Sequence, residues 1–507
     1  MGANYAKSVY NQLMEVMERL NFMEEEHKKD QKEIRSLSSE VKSLRTENIR
    51  LREEVSGMKC SITALEEENL RLEKENALLR DDNERMKRTL RNDSSNSSTP
   101  PSKDHPGKAP NMYNSRKPSG KKKGAQPGHP GKGLSKADVE QKIRDGIFEH
   151  RMESIGTPGG TYVTRYRLDL EVKTTAVEIR IYADENGKYQ IPDEYKADVS
   201  YGGNIRAIAA FLYSEGVVAN DRICEFINSI SGDILHLSEG SVYGFCRKFA
   251  ESCGNECPKI KESLLNAHEI CTDATTVKTD GKQSYIRNFS TEKSVLYVGS
   301  GKKDLETLEG MEILKKYVGT LTHDHETALY HFGTGHGECN VHLERYLRKN
   351  TEETGNTWSH NLGSFLNGMN HARKERMEKG EVCFSAMELE RYSQRYDQIV
   401  AAGREQNRQT KGRNAKKEEK TLLNRLEKYK ENHLLFLRDF EVHYSNNMSE
   451  KDLRICKNRQ KMAGGFRTDD GREMYCRIMS VIETVKRRGL NIFQSIRNLM
   501  DDIPVII

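Results

Sequence analysis

Between Ile34 and Leu90 apolar residues recur every seven positions in two interleaved series. Ile34, Val41, Val55, Ile62 and Leu90 share one core position with Asn48, Asn69, Asn76 and Asn83. Leu37, Leu44, Leu51, Met58, Leu65, Leu72, Leu79 and Met86 share the other. β-Branched residues or Asn at one position and Leu or Met at the other predict a parallel two-stranded coiled coil, in which the Asn fixes register at a cost in stability. The frame extends back to Leu13, Val16, Leu20 and Met23, interrupted by His27 and Asp30. A lone helix would leave that seam in water. Residues 1–91 therefore read as a helical arm that associates into a homodimer or higher oligomer.

The pattern then changes. Residues 92–135 are rich in Ser, Pro and Lys and cannot bury a core, so they read as a disordered basic linker. Within it Lys121, Lys122 and Lys123 sit among Gly and Pro, which suits either a tether that tracks phosphates or a plain spacer. Residues 136–200 predict a small β-containing segment: Tyr162 to Val172 alternates weakly, Val177 to Tyr182 is β-like, and Glu185-Asn186-Gly187 is a hairpin signal. Residues 201–262 predict three helices: Asn204 to Glu215, a second capped by Asn220, and a third capped by Ser238. Such a triplet suits a helix-turn-helix, and equally an ordinary small helical core.

From residue 263 strand signals dominate. His268 to Asp273, Gln283 to Phe289, Ser294 to Gly299 and Val318 to Asp324 read as strands, with a helix over Asp304 to Tyr317 before the last. Acids end the first and fourth strands, so neighbouring strands would bring Asp273 and Asp324 together. Residues 441–507 begin with a helix signalled by Ser445, Asn446 and Asn447 and stopped by Gly464-Gly465. On that helix Glu450, Arg454, Lys457 and Lys461 fall on one stripe. Asp273, Asp324 and Glu450 together are hard oxygen ligands for Mg²⁺ or Mn²⁺. Arg454, Lys457, Arg459 and Lys461 are candidate contacts to a DNA backbone. The plainer readings are a turn residue at each strand end and a solvated charged helix face. Trp358, the lone Trp, suits base stacking or helix packing.

Composition adds limits. Of 507 residues, 31% are charged and 35% hydrophobic, the dilution expected of a long charged arm. The net charge of +5 says little about partners. No apolar run approaches the roughly 20 residues that cross a bilayer, and the N-terminus lacks the apolar stretch of a signal peptide. The ten cysteines form no paired framework, as expected of reduced cytosolic thiols. A cytoplasmic, nucleoid-associated protein with no membrane partner is the expectation.

Several motifs together resemble bacterial insertion-sequence transposases of the IS66 type, over nearly the whole chain. They are the zipper-like N-terminus, the Gln126-Pro127-Gly128-His129 element of the linker and the Leu237 to Tyr243 segment. To these are added Cys271-Thr272-Asp273, Thr322-His323-Asp324, Cys339-Asn340-Val341-His342, and Asn446 to Glu450 followed by Gly464-Gly465. The resemblance implies an α/β RNase H-like catalytic core interrupted by a helical insertion, beside the helix-turn-helix-like region and the coiled coil. Residues 263–343 and 441–507 would form the core, and residues 344–440 the helical insertion. It implies a DDE triad of Asp273, Asp324 and Glu450, cleavage and strand transfer of element ends with Mg²⁺ or Mn²⁺, and double-stranded DNA as partner. Small accessory proteins often accompany such enzymes. The family tends to carry paired cysteines after the linker; Leu134 to Tyr201 holds none, so no zinc is expected. The family usually has Glu, Gly, an aromatic and Asp where this chain has Ala274, His325, Asn340 and Ser445; His323 also flanks Asp324. Those departures motivate an alternative, a catalytically decayed, dimeric DNA-binding protein. A tyrosine recombinase using His342, Arg345 and Tyr444 is a third reading.

Overall fold

The computed structural model describes residues 2–91, 133–155 and 161–506. Lys121, Lys122 and Lys123 lie outside the described residues. The chain divides into two units, residues 1–88 with 411–414, and the remainder.

The arm is a single helix, α1 (Gly2–Arg91), which at about 1.5 Å per residue is roughly 135 Å long. His27 and Asp30 leave it unbroken. The seam positions Ile34, Leu37, Val41 and Leu44 are 64, 52, 47 and 58% exposed in the single chain, and the long helix is compatible with a coiled coil. Among the described residues no helix is long and apolar enough to cross a membrane.

Residues 133–200 differ from expectation. They hold α2 (Lys136–Arg144), started by a capping box between Ser135 and Asp138, and no strand is found over 161–182. Tyr162, Val163, Leu170 and Val177 are exposed. Alternation makes a strand only when a partner covers one face, and among the described residues none does. The hairpin signal survives as one bridge, Ala183 to Tyr189.

The three expected helices form: α3 (Gly203–Ser214), α4 (Asn220–Ile230) and α5 (Glu239–Leu265). Ser238 caps α5 through the Ser241 N–H, whereas Asn220 is the first residue of α4 and no side chain caps it. Ala207, Ala210, Ile223, Val242 and Phe249 close their core, which is continuous with that of the sheet.

The sheet has five strands in the order β3-β2-β1-β4-β5. β1 (Glu269–Thr279), β2 (Lys282–Ser290) and β3 (Val295–Ser300) form an antiparallel meander; β4 (Thr320–His323) and β5 (Gly335–Glu338) add in parallel to β1. Between β3 and β4 lie two short helices, α6 (Leu305–Glu309) and α7 (Glu312–Lys316), where one was expected.

The insertion comprises α8 (Asn340–Thr354), α9 (Thr357–Glu378), α10 (Ala386–Gln409), α11 (Arg413–Lys428) and α12 (Lys430–Arg438). It has its own apolar cluster, around Leu347, Trp358, Leu362, Leu423 and Phe436. The chain then returns to the sheet as α13 (Asn447–Ala463), α14 (Asp469–Arg487) and α15 (Ile492–Met500).

An edge strand presents unpaired backbone groups. At β3 two hydroxyls one turn apart on α14 take them up: Ser480 Oγ accepts the Tyr297 N–H at 2.9 Å and Thr484 Oγ1 the Val295 N–H at 3.1 Å. Gly464, at φ 71°, ends α13 in the left-handed conformation that favours glycine. Gly465 follows, so that Phe466 N–H bonds Lys278 O at 2.8 Å and pins the helix end to β1.

Candidate active site

The parallel pairing sets Cys271 of β1 beside Thr322 of β4. Side chains alternate along a strand, so two residues further Asp273 and Asp324 leave on the same face. β4 ends at His323, one residue before the expected end at Asp324, and β1 runs on to Thr279. Asp273 therefore lies mid-strand, paired with Asn288 of β2, and not at a strand end.

Glu450 comes from the first turns of α13. Ligand atoms of Asp324, Cys339, His342 and Glu450 all lie within 4.8 Å of one another. Burial and the nearby charge of Asp324 push the Asp273 carboxyl up to about 6, against the pull of the Ala274 N–H, Lys303 and Arg287. Three acids thus share one neighbourhood.

His342 Nδ1 stands between two of them, 3.2 Å from Asp324 Oδ1 and 3.5 Å from Glu450 Oε1. Burial works against a charged His342, yet Asp324 and Cys339 push its pKa up to about 10. The Arg345 guanidinium lies 3.1 Å from its Nε2.

Asn446 was expected to cap α13 with its side chain. It makes no such bond; its Nδ2 donates to the Thr272 carbonyl at 2.8 Å and lies 3.4 Å from Asp324 Oδ1. Its Oδ1, like Glu450 Oε1, is buried without a hydrogen-bond partner. Orphaned oxygens among carboxylates suit a hard divalent cation, and Cys339 and His342 add softer donors. The residues present fit such an ion.

Asn288 holds two of the acids to each other. Its Oδ1 accepts the Asp273 N–H at 3.2 Å and the Ser449 hydroxyl. Its Nδ2 donates to Ser449 O at 3.1 Å and lies 3.0 Å from Ser290 Oγ and 3.3 Å from Asp452 Oδ2. Asp452 in turn receives Arg487. One buried amide therefore ties the strand carrying Asp273 to the helix turn carrying Glu450.

A second group, Glu269, Cys271 and His443, lies on the same face. There the Glu269 oxygens already receive the Thr322 hydroxyl, the His443 N–H and His443 Nδ1, so it reads as a hydrogen-bonded structural pair.

Of the cations expected to meet DNA, Arg454, Lys457 and Lys461 are exposed on α13. Arg459 is not free to do so: its guanidinium lies 4.3 Å from the Tyr213 ring centroid and 5.9 Å from that of Tyr475. Trp358 cannot stack on a base. It is 1% exposed and donates Nε1–H to Glu419 at 2.7 Å. Tyr444 is buried with its hydroxyl on Glu344, which removes the recombinase nucleophile.

The description "Transposase IS66 family" matches residues 200–474, more than half of the chain, including Asp273, Asp324, Cys339, His342 and Glu450. The chain belongs to the IS66 transposase family. A second match, to a family of unknown function (DUF6444), covers residues 23–135. No curated protein matches. As an IS66 transposase the chain is assigned to DNA transposition, to a class of enzyme that binds, cleaves and transfers DNA, and that generally uses divalent metal ions. Sequence reasoning on this IS66 transposase missed Asn288 and the outward role of Asn446. A signal for the first was present: Asn is depleted in strands, yet Asn288 stands beside Phe289 in the middle of a buried one.

Proposed function

We propose that Asp273, Asp324 and Glu450 are the metal-binding triad of a DDE transposase that cleaves element ends and joins the freed 3′-hydroxyl to target DNA. The observation that carries this reading is the convergence of Asp324 and Glu450, with a buried Glu450 oxygen that makes no hydrogen bond, beside an Asp273 whose proton affinity is raised. The strand order, with an antiparallel meander followed by two parallel strands, supports an RNase H-like core. Bound Mg²⁺ or Mn²⁺ supplies activation of the attacking water or hydroxyl and neutralises charge on the leaving oxygen. The chain's own part is placement. Asp273 and Asp324 present oxygens from adjacent strands, Glu450 closes the site from α13, and Asn446 braces Asp324. Arg454, Lys457 and Lys461 extend away from Glu450 along the same helix and are suited to hold phosphates in line with it. Lys121, Lys122 and Lys123 serve as a basic tether, α3 to α5 as a helix-turn-helix-like DNA reader, and α1 as a parallel coiled-coil dimer.

Alanine at any one of the three acids is expected to abolish Mg²⁺-dependent strand cleavage of element-end DNA while leaving end binding intact. Cleavage retained by the triple variant overturns the reading. One observation favours the decayed alternative: His342 wedges between Asp324 and Glu450. End binding without nicking by the unsubstituted protein, at any divalent metal concentration, is the result that selects it.

A further inference from the structure

Glu338, the last residue of β5, is 1% exposed, and donors from three parts of the chain converge on its carboxylate. His325 Nδ1 lies 2.6 Å from Oε1, where the Tyr330 hydroxyl also arrives. Oε2 receives the Arg425 guanidinium at 2.6 Å and His433 Nε2 at 3.0 Å. His325 and Tyr330 belong to the segment that follows Asp324. Arg425 and His433 belong to α11 and α12 of the insertion. Burial alone would favour a protonated Glu338; the bonds from His325 and His433 and the charge of Arg425 instead hold it well below the usual carboxylate range.

His325 has φ 62°, a conformation that non-glycine residues rarely adopt. Something must hold it there. Besides Glu338, the Tyr429 ring meets it edge-on at 4.8 Å. On the other side of Asp324 the fully buried His323 ring packs edge-on against Tyr330 at 5.0 Å and His336 at 5.6 Å. The residues flanking Asp324 on both sides are thus seated on groups that lead to Glu338.

We propose that Glu338 is a positioning residue for Asp324, acting through His325 and joining the helical insertion to the acid's backbone turn. The proposal rests on the reading of Asp324 as a metal ligand. Glu338 touches no reacting atom; it fixes the turn from which the carboxylate is presented, and Arg425 and His433 make the seating of the insertion part of that turn's geometry.

The test uses the full chain and Mn²⁺, with free Mn²⁺ read by electron paramagnetic resonance and folding by circular dichroism. Asp324→Asn sets the reference by losing the tight Mn²⁺ site. His325→Gly keeps the left-handed turn without strain but cuts the link to Glu338, and is expected to weaken Mn²⁺ binding about tenfold in a folded protein, as loss of an outer partner of a metal ligand does. His325→Asn tolerates the same backbone, and its Nδ2 sits where the imidazole Nδ1 was, so it is expected to restore most of the affinity. Glu338→Gln is expected to follow His325→Gly; should it fail to fold, the His325 pair still decides. Wild-type Mn²⁺ affinity in folded His325→Gly, or no restoration in His325→Asn, overturns the role of Glu338 alone. Wild-type Mn²⁺ binding by Asp324→Asn removes the reading of the acid, and this proposal with it.

Discussion

Asn288 and Glu338 both act as buried brackets, with different chemistry. Asn288 links Asp273 to the Glu450 helix turn through an amide, two hydroxyls and backbone groups, with Asp452 at its margin. Glu338 links the Asp324 turn to the insertion through a full charge, a guanidinium and two imidazoles. The first joins a strand to a helix that already pack against each other. The second joins the sheet to a helical body with its own core. A neutral bracket suffices where packing already fixes the distance. Where two bodies must be registered, a buried charge that tolerates no loss of partners specifies the seat more sharply, at greater cost if broken.

The largest difference should appear on deletion. Glu338→Ala leaves the part-buried Arg425 without its partner and is expected to cost about 3–5 kcal/mol in urea unfolding. The double variant Glu338→Leu with Arg425→Met removes both charges and is expected to recover much of that. Asn288→Ala strands uncharged donors and acceptors, so about 1–3 kcal/mol is expected. Equal losses for the two single variants would erase the distinction.

The pH response sharpens the comparison next. Burial lowers the pKa of both His336 and His433. The unfolded chain takes up protons below about pH 6.5 that these folded rings refuse, so stability is present above that pH and is lost as pH falls. Unfolding at pH 7.5 and 5.5 should show a decline of up to about 1.4 kcal/mol per pH unit for each ring. Asn288→Ala should keep this slope and His336→Phe should reduce it. An unchanged slope in His336→Phe counts against burial of that ring as a source of the decline. The smallest effect near neutrality concerns Asp273: because its proton competes with metal, Mn²⁺ affinity should hold between pH 8 and 7 and fall about tenfold per unit below about 6. Constant affinity down to pH 5 would remove Asp273 from the ligand set.

Much of this architecture was legible because it repeats or alternates. The heptads gave α1, and β1 to β4 overlap the expected strands, with β1 running on past Asp273. β5 was not legible, since Gly335-His336-Gly337-Glu338 carries no strand signal. It pairs because Gly335 and Gly337 lie against Thr320 and Thr322 of β4; a Cβ on Gly335 would sit 2.7 Å from the Thr320 hydroxyl. The reverse error arose at 161–182, where strand-like composition finds no partner among the described residues. At the site, the approach of Asp324 and Glu450 could be expected from order along the chain. Arg459 could not be assigned, since helical spacing does not say whether a guanidinium meets solvent or the Tyr213 ring. The departures His323, His325 and Asn340 looked like decay one at a time. In space they are neighbours, and Asn340 Nδ2 itself donates to the His433 carbonyl at 3.0 Å.

Arg425 and His433 also limit how freely this enzyme can exchange parts with its relatives. A chimera that takes residues 340–438 from a homologue lacking a cation and an imidazole at those places would abandon Glu338 in a dry interior. A viable graft must bring β5 and the turn over 325–330 along with it, so the smallest transplantable module here is larger than the helical body itself.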